Sequence, residues 1–167
     1  MVKKVELEFS KLIEKNQGII HKVCRIYANN DDDSQDLFQE ILLQLWKSYK
    51  SFQGNSKFTT WMYRVALNTA ITLFRKSTKT INTQELDNTL YKISENDDFS
   101  EKQEQINRLY DAIKQLSEIE RALVLLYLED LSYREISETL GITEVNARVK
   151  MNRVKTKLKE IMNKNEE

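Results

Sequence analysis

Residues 132–161, SYREISETLGITEVNARVKMNRVKTKLKEI, hold the densest group of side chains able to recognise a nucleic acid. Asn and Arg can make paired hydrogen bonds to base edges, whereas Lys meets phosphate as a point charge and carries no sequence information. Here Glu144, Asn146, Arg148, Lys150, Asn152 and Arg153 follow Thr143 and precede Lys155, Lys157 and Lys159, so residues 143–159 contain six basic residues and one acidic residue. Their spacing predicts one face of a helix. Ala147, Met151, Val154, Leu158 and Ile161 recur at helical intervals and define a buried stripe on the other. Thr143 is placed to cap that helix and Gly141 to supply the left-handed turn residue after a short helix ending at Leu140. Ile142 is expected to point back into the core. This is helix-turn-helix spacing with a phosphate-seeking second helix. Asn146, Lys150 and Arg153 are expected on its outward side, and the three trailing lysines are expected to see phosphate only. A merely solvated amphipathic helix would explain the charges, but not their coincidence with the turn glycine and the short preceding helix.

A second constellation is KFTTWMYRVALNTAITLFRK, residues 57–76, where Phe58, Trp61 and Tyr63 lie among Lys57, Arg64, Arg75 and Lys76. Aromatic rings interleaved with cations suit single-stranded nucleic acid, because bases stack on rings while phosphates follow the charges. Phe58 and Trp61 fit a helical core equally well. The third is DSQDLFQEILLQLWKSYKSF, residues 33–52, a helix exposing Asp36, Gln39, Glu40 and Gln44, with Leu43 and Trp46 off its main apolar stripe. That surplus of apolar surface suits docking of a partner, or simply a thick core.

Other chemistries lack the residues they need. His21 is the only histidine and Cys24 the only cysteine, which removes disulfide frameworks, multi-cysteine metal sites and most His-paired nucleophiles. The pair is expected to be a half-buried helical couple. Asp31, Asp32, Asp33 and Asp36 lack the glycine and closing Glu of a calcium loop, and read as a helix start. No glycine-rich phosphate loop exists, so an enzyme has no candidate site.

The elements that must position these groups are helices. The 167 residues include no proline and three glycines, too little punctuation for a sheet-rich fold. The fold class is all-α. No apolar run approaches the ~20 residues of a membrane span. The N-terminal MVKKVELEFSKLIEK has no signal-peptide core, and the expected location is a reducing, cytoplasmic one. A net charge of zero hides a partition, since residues 1–76 carry 12 basic and 8 acidic groups, residues 104–142 carry 4 and 8, and residues 143–167 carry 7 and 4. A polyanion responds to that local sorting rather than to the total.

Two helical bodies are predicted, 1–76 and 101–167, joined by a linker over 77–100. Within residues 77–98, 12 of 22 are Ser, Thr, Asn or Asp, too polar to order themselves. The first body holds helices near 6–28, from a cap at Asp33 or Ser34 to about 50, and 59–76 with Met62, Val65, Ala66, Thr69 and Leu73 on one side. The second is announced by three capping boxes, Ser100–Gln103, Ser117–Glu120 and Ser132–Glu135. These predict helices near 101–115, 118–130 and 133–140, then a last one to about 163.

Taken together, the chain resembles the extracytoplasmic-function (ECF) subgroup of bacterial RNA polymerase sigma factors, over nearly its full length. Asp33, Asp36, Leu37, Gln39, Glu40 and Trp46 match one motif of the family's first domain, and Phe58, Trp61, Arg64, Asn68 and Arg75 match the next. Arg121, Leu126, Glu135, Ile136, Leu140, Gly141 and Ile142 match the second domain, in the expected order. The recognition helix departs from the usual T-V-K-S-R, reading Asn146-Ala147-Arg148-Val149-Lys150.

The resemblance implies two helical domains on a flexible linker and a non-enzymatic role without cofactor or metal. Such a protein binds core RNA polymerase, directs it to promoter DNA and helps open the duplex. Asp36, Leu37, Gln39, Glu40 and Leu43 would dock on the β′ clamp helices. Lys57, Phe58, Trp61, Arg64, Asn68, Arg75 and Lys76 would handle the melted −10 element. Thr143, Glu144, Asn146, Arg148, Lys150, Asn152, Arg153 and Lys157 would meet the −35 element, with the other side of that domain on the β flap. Many relatives are held by an anti-sigma factor, which makes one an expected partner; membrane insertion is not expected. A stand-alone helix-turn-helix regulator would leave the aromatic–basic helix without a task, and a protein-only adaptor would not need the basic recognition face.

Overall fold

An apolar stripe interrupted only at Asn16 and Gln17 builds the first helix, α1 (Val2–Tyr27), in which Phe9, Ile13, Ile20, Val23, Cys24 and Tyr27 are buried at helical intervals. The computed structural model describes residues 2–81 and 100–165, and the side chains of 3–77 and 100–164. The chain divides into two compact units, Met1–Arg75 and Lys76–Glu167.

Helix α2 (Asp31–Tyr49) begins earlier than expected, with Asn30 rather than Asp33 or Ser34 as its cap. Asn30 is in extended backbone and its Oδ1 accepts the Asp33 N–H at 2.8 Å. This leaves Asp31, Asp32 and Asp33 inside the first turn, where carboxylates complement the positive end of the helix dipole. Leu37, Ile41 and Leu45 form its buried stripe and pack against α1.

Helix α3 (Phe58–Ile81) buries Met62, Tyr63, Ala66, Leu67, Ala70 and Ile71. Val65, Thr69 and Leu73, expected on one side with Met62 and Ala66, are half-buried at the flank of this stripe. The stripe is rotated because Tyr63 and Leu67 supply more apolar area than Thr69. The helix also continues past Lys76, since residues 77–81 contain no glycine or proline to stop it. The expected linker therefore begins inside a helix, and its remainder, 82–99, lies outside the described residues.

The second unit contains α4 (Glu101–Ile113), α5 (Glu118–Leu128), α6 (Tyr133–Leu140) and α7 (Glu144–Asn165). Two of the three expected capping boxes form, at Ser117–Glu120 and Ser132–Glu135. The third does not. Ser100 makes no side-chain cap bond, and Gln103 turns instead to donate from Nε2 to Asn107 Oδ1 at 3.2 Å. Residues Ala122–Leu126 of α5 are all buried, and α5 packs on both α6 and α7, while α7 packs on α4 and α6 as well. Among the described residues no helix is long and apolar enough to cross a membrane.

Candidate nucleic-acid and partner interfaces

The turn between α6 and α7 closes on Gly141, whose φ of 70° is the left-handed conformation that costs glycine nothing. Ser137 O accepts the Gly141 N–H at 2.9 Å and the Ile142 N–H at 3.2 Å. Thr143 Oγ1 accepts the Asn146 N–H at 3.1 Å, so its hydroxyl works as a helix cap. From there Ala147, Met151, Val154 and Leu158 are buried and Ile161 is half-buried.

The basic residues of α7 divide sharply by what they touch. Arg148 leans back to Glu144 at 3.8 Å and lies 5.3 Å from the Tyr133 ring centre. Lys155 Nζ sits 4.2 Å over the Tyr127 ring, and contact with that side chain raises its pKa above the ordinary lysine value. Lys157 Nζ meets Glu120 Oε1 at 3.1 Å, so a residue expected to contact phosphate is held as an ion pair within its own domain. Lys150, expected outward, is half-buried. It stands three residues after Ala147 and four before Val154, which places it beside the buried stripe. Asn146, Asn152, Arg153 and Lys159 are exposed, and so are Val145 and Val149. The last two were not singled out by residue chemistry, although their spacing opposite Ala147 was there to be read.

On α3, Arg64, Asn68 and Arg75 are exposed, and their intervals of four and seven residues put them on one helical face next to Lys76, while exposed Lys57 immediately precedes the helix. Phe58 and Trp61 are half-buried. The Trp61 ring lies 5.1 Å from Phe52, 5.4 Å from Phe58 and 6.3 Å from Tyr49. Tyr49 continues to Phe9 at 5.1 Å, and Phe9 to Trp46 at 5.0 Å. A run of rings thus ties the loop after α2 to all three helices of the first unit. Phe52 was missed from the sequence because a loop residue has no helical phase to place it.

The third region is a groove of about 750 Å³ between α1 and α2, walled by Phe9, Ile13, Phe38, Leu42, Leu43 and Trp46, with Glu6, Glu14 and Gln39 also lining it. Asp36 and Gln39 are exposed, Leu43 is 44% exposed, and half-buried Glu40 accepts from Gln44 Nε2 at 3.0 Å. Leu37 differs from these neighbours. At 7% exposure it belongs to the α1–α2 core and seats the helix rather than presenting a contact. The wall from α1 was not anticipated.

His21 is exposed, its ring 5.0 Å from Phe38, whereas Cys24 is buried. Burial pushes the Cys24 thiol up to about 11, a hydrogen bond with Ser34 opposing this only in part. The buried Arg121 donates from Nε to Leu116 O at 3.0 Å and from its other arm to Lys114 O. It closes the α4–α5 turn. Among the described residues no group of His, Cys, Asp or Glu is placed to hold a metal ion.

The family described as Sigma-70 region 2 matches residues 12–80, and that described as Sigma-70, region 4 matches residues 106–158. The ECF RNA polymerase sigma-E factor of Haemophilus influenzae is 30% identical over 147 residues, covering 79% of this chain and 75% of that protein. The ECF RNA polymerase sigma factor SigW of Bacillus subtilis is 27% identical over 158 residues, covering 87% of this chain and 83% of SigW. Among solved structures, the sigma factor RpoE in complex with the anti-sigma factor NepR from Bartonella quintana superposes with a TM-score of 0.76. It covers 93% of this chain and 97% of RpoE at 17% identity, a likeness of fold. With both family regions in order and a relative matched across three quarters of its length, the chain belongs to the ECF family of RNA polymerase sigma factors, which recognise promoters to initiate transcription.

Proposed function

We propose that this sigma factor divides its work among the three faces described above. The exposed Asp36, Gln39 and Leu43, with Glu40 and the apolar groove beside them, dock on the β′ clamp helices of core RNA polymerase. Leu37 holds that helix in place. The Arg64–Asn68–Arg75 face of α3, with Lys57 just before the helix, Lys76 and the Phe58–Trp61 edge, handles the melted −10 element. Extruding a base costs a few kcal/mol, which ring, amide and cation together can offset.

Helix α7 meets the −35 element. Thr143, by capping, and Glu144, through Arg148, set the helix start, while Asn146, Asn152 and Arg153 read bases and Lys150 and Lys159 approach phosphate. The far side of the second unit meets the β flap. An anti-sigma factor, the kind of partner RpoE has in its solved complex, would compete for the α1–α2 groove. The factor acts in the cytoplasm, on the transcription machinery, and needs no cofactor.

The observation that carries this assignment is the presence, in one chain, of an apolar groove edged by exposed polar residues and of a basic helix-turn-helix. Reconstitution with core polymerase tests it. The full chain should be retained by core enzyme and should support run-off transcription from promoters selected out of a random pool, while binding promoter DNA poorly alone. Promoter selection by the isolated chain, with no retention by core enzyme, would favour a stand-alone regulator.

A further inference from the structure

We propose that Val145 and Val149 form an apolar reading edge that takes the C5-methyl groups of thymines in the −35 element. The inference rests on α7 being the −35-reading helix and goes beyond it in naming the base feature recognised and the residues that recognise it.

Val145 is 71% exposed, more than any other large apolar side chain among the described residues, and Val149 is 42% exposed. They are four residues apart in the first two turns of α7, opposite the buried Ala147–Met151–Val154 stripe, so they share the meridian facing furthest from the core. That is the part of a recognition helix that reaches base edges. Helix formation does not account for them, since valine is a poorer choice at a solvated helical position than Ala, Lys or Glu.

The surroundings select the occupant. Asn146, Asn152, Arg148 and Arg153 flank the pair and are all exposed. A protein partner usually meets an apolar patch whose centre is depleted of charge. Two methyl-bearing side chains among amides and guanidiniums match the major groove instead, where the thymine methyl is an apolar feature set among hydrogen-bonding groups. A β-branched side chain also has one strongly preferred rotamer on a helix, so its methyls are already held in place. Four residues advance about 6 Å along a helix, and base pairs repeat about every 3.4 Å. The two valines therefore address thymines roughly two base steps apart.

The test uses holoenzyme assembled from the full chain and core polymerase, on a promoter selected from a pool randomised across the −35 element. Each thymine there is replaced singly by uracil, which removes one methyl and leaves every hydrogen-bonding group unchanged. Uracil at one or two positions should weaken binding about fourfold, the effect of one lost methyl contact. V145A and V149A should each abolish the thymine–uracil difference at one of those positions. Equal binding of every uracil duplex and its parent, or unchanged discrimination by both variants, overturns the inference. Scrambling the whole −35 element separates this from the reading beneath it. Scrambling without effect on holoenzyme binding overturns α7 as the −35 reader, whereas scrambling that weakens binding while uracil is tolerated overturns only the valine edge.

Discussion

Lys157 Nζ and Glu120 Oε1 lie 3.1 Å apart and join α7 to the first turn of α5. The same carboxylate oxygen accepts the Ser117 N–H at 2.9 Å, closing the α5 capping box. One carboxylate thus serves a helix start and an interhelical ion pair. Partial burial raises its pKa, but the Ser117 N–H and then the Lys157 ammonium outweigh burial and hold it below the ordinary 4.5. A depressed folded-state value means stability that is present above the unfolded-state pKa and lost as the pH falls through the folded one.

Lys157→Ala should therefore leave the salt dependence of promoter binding unchanged and lower stability by the few tenths of a kcal/mol that such a partly exposed pair supplies, a slight fall in thermal midpoint. Lys159→Ala, by contrast, should flatten the log–log salt slope of holoenzyme binding by about one unit. Salt titrations of both variants check this. Equal flattening by the two would show that Lys157 leaves Glu120 for phosphate.

Leu37 and Leu43 occupy the same helix with opposite exposures, and their truncation should separate folding from docking. Leu37→Ala should cost about 2–4 kcal/mol of stability through the cavity left in the α1–α2 core. Leu43→Ala and Gln39→Ala should leave the melting temperature nearly unchanged while weakening affinity for core polymerase. Denaturation and a titration with core enzyme measure the two effects.

Asn68 is exposed on the basic face of α3, so Asn68→Ala should fold normally and form closed complexes, yet open the promoter about fivefold to tenfold more slowly, the worth of one hydrogen bond. Permanganate reactivity of the melted strand follows the rate. Trp61→Ala should destabilise the first unit as well, because its ring packs on Phe52 and Phe58. Normal opening by the folded fraction of that variant would assign Trp61 to the core alone.

Arg121→Lys should destabilise the second unit by about 2–3 kcal/mol, since an ammonium cannot span the Leu116 and Lys114 carbonyls that the guanidinium joins. The Lys114 carbonyl stands at the C-terminal end of α4, where a cation is also favoured by the dipole, and the Leu116 carbonyl in the turn that follows. Thermal unfolding reports the loss, and an unchanged midpoint would show that a lysine ammonium satisfies the turn as well as the guanidinium does.

Cys24 should resist maleimide at pH 8 in the folded protein and react on unfolding, because its thiolate is disfavoured by burial. A folded-state pKa raised from 9.0 to about 11 contributes stability below pH 9 that is lost as the pH rises towards 11. Rapid labelling under native conditions would contradict this.

Much of the molecule is legible along the chain because its signals are local. Two of the capping boxes join groups three residues apart, and Gly141 is named by a single φ that other residues avoid. The Ala147–Met151–Val154–Leu158 stripe follows from helical repetition alone. Where local signals compete, they mislead. Asn30 outcompetes Asp33 as a cap because it lies just outside the turn, and Gln103 prefers Asn107 to the Ser100 backbone.

By itself, then, the sequence determines an all-α chain, the order and approximate ends of its helices, the helix-turn-helix and the family. The helices and the turn depend on residues within a turn or two of one another, where backbone geometry leaves few alternatives, and the family on such local motifs following one another in order along the chain. Tertiary structure alone decides which charges remain available to a partner. Glu120 claims Lys157 across 37 residues, Tyr127 lies under Lys155, and α1 supplies the second wall of the α2 groove. The strength of a charge pair or an apolar contact depends on separation in space and on how much water is excluded, and neither quantity is written in the spacing of residues along the chain.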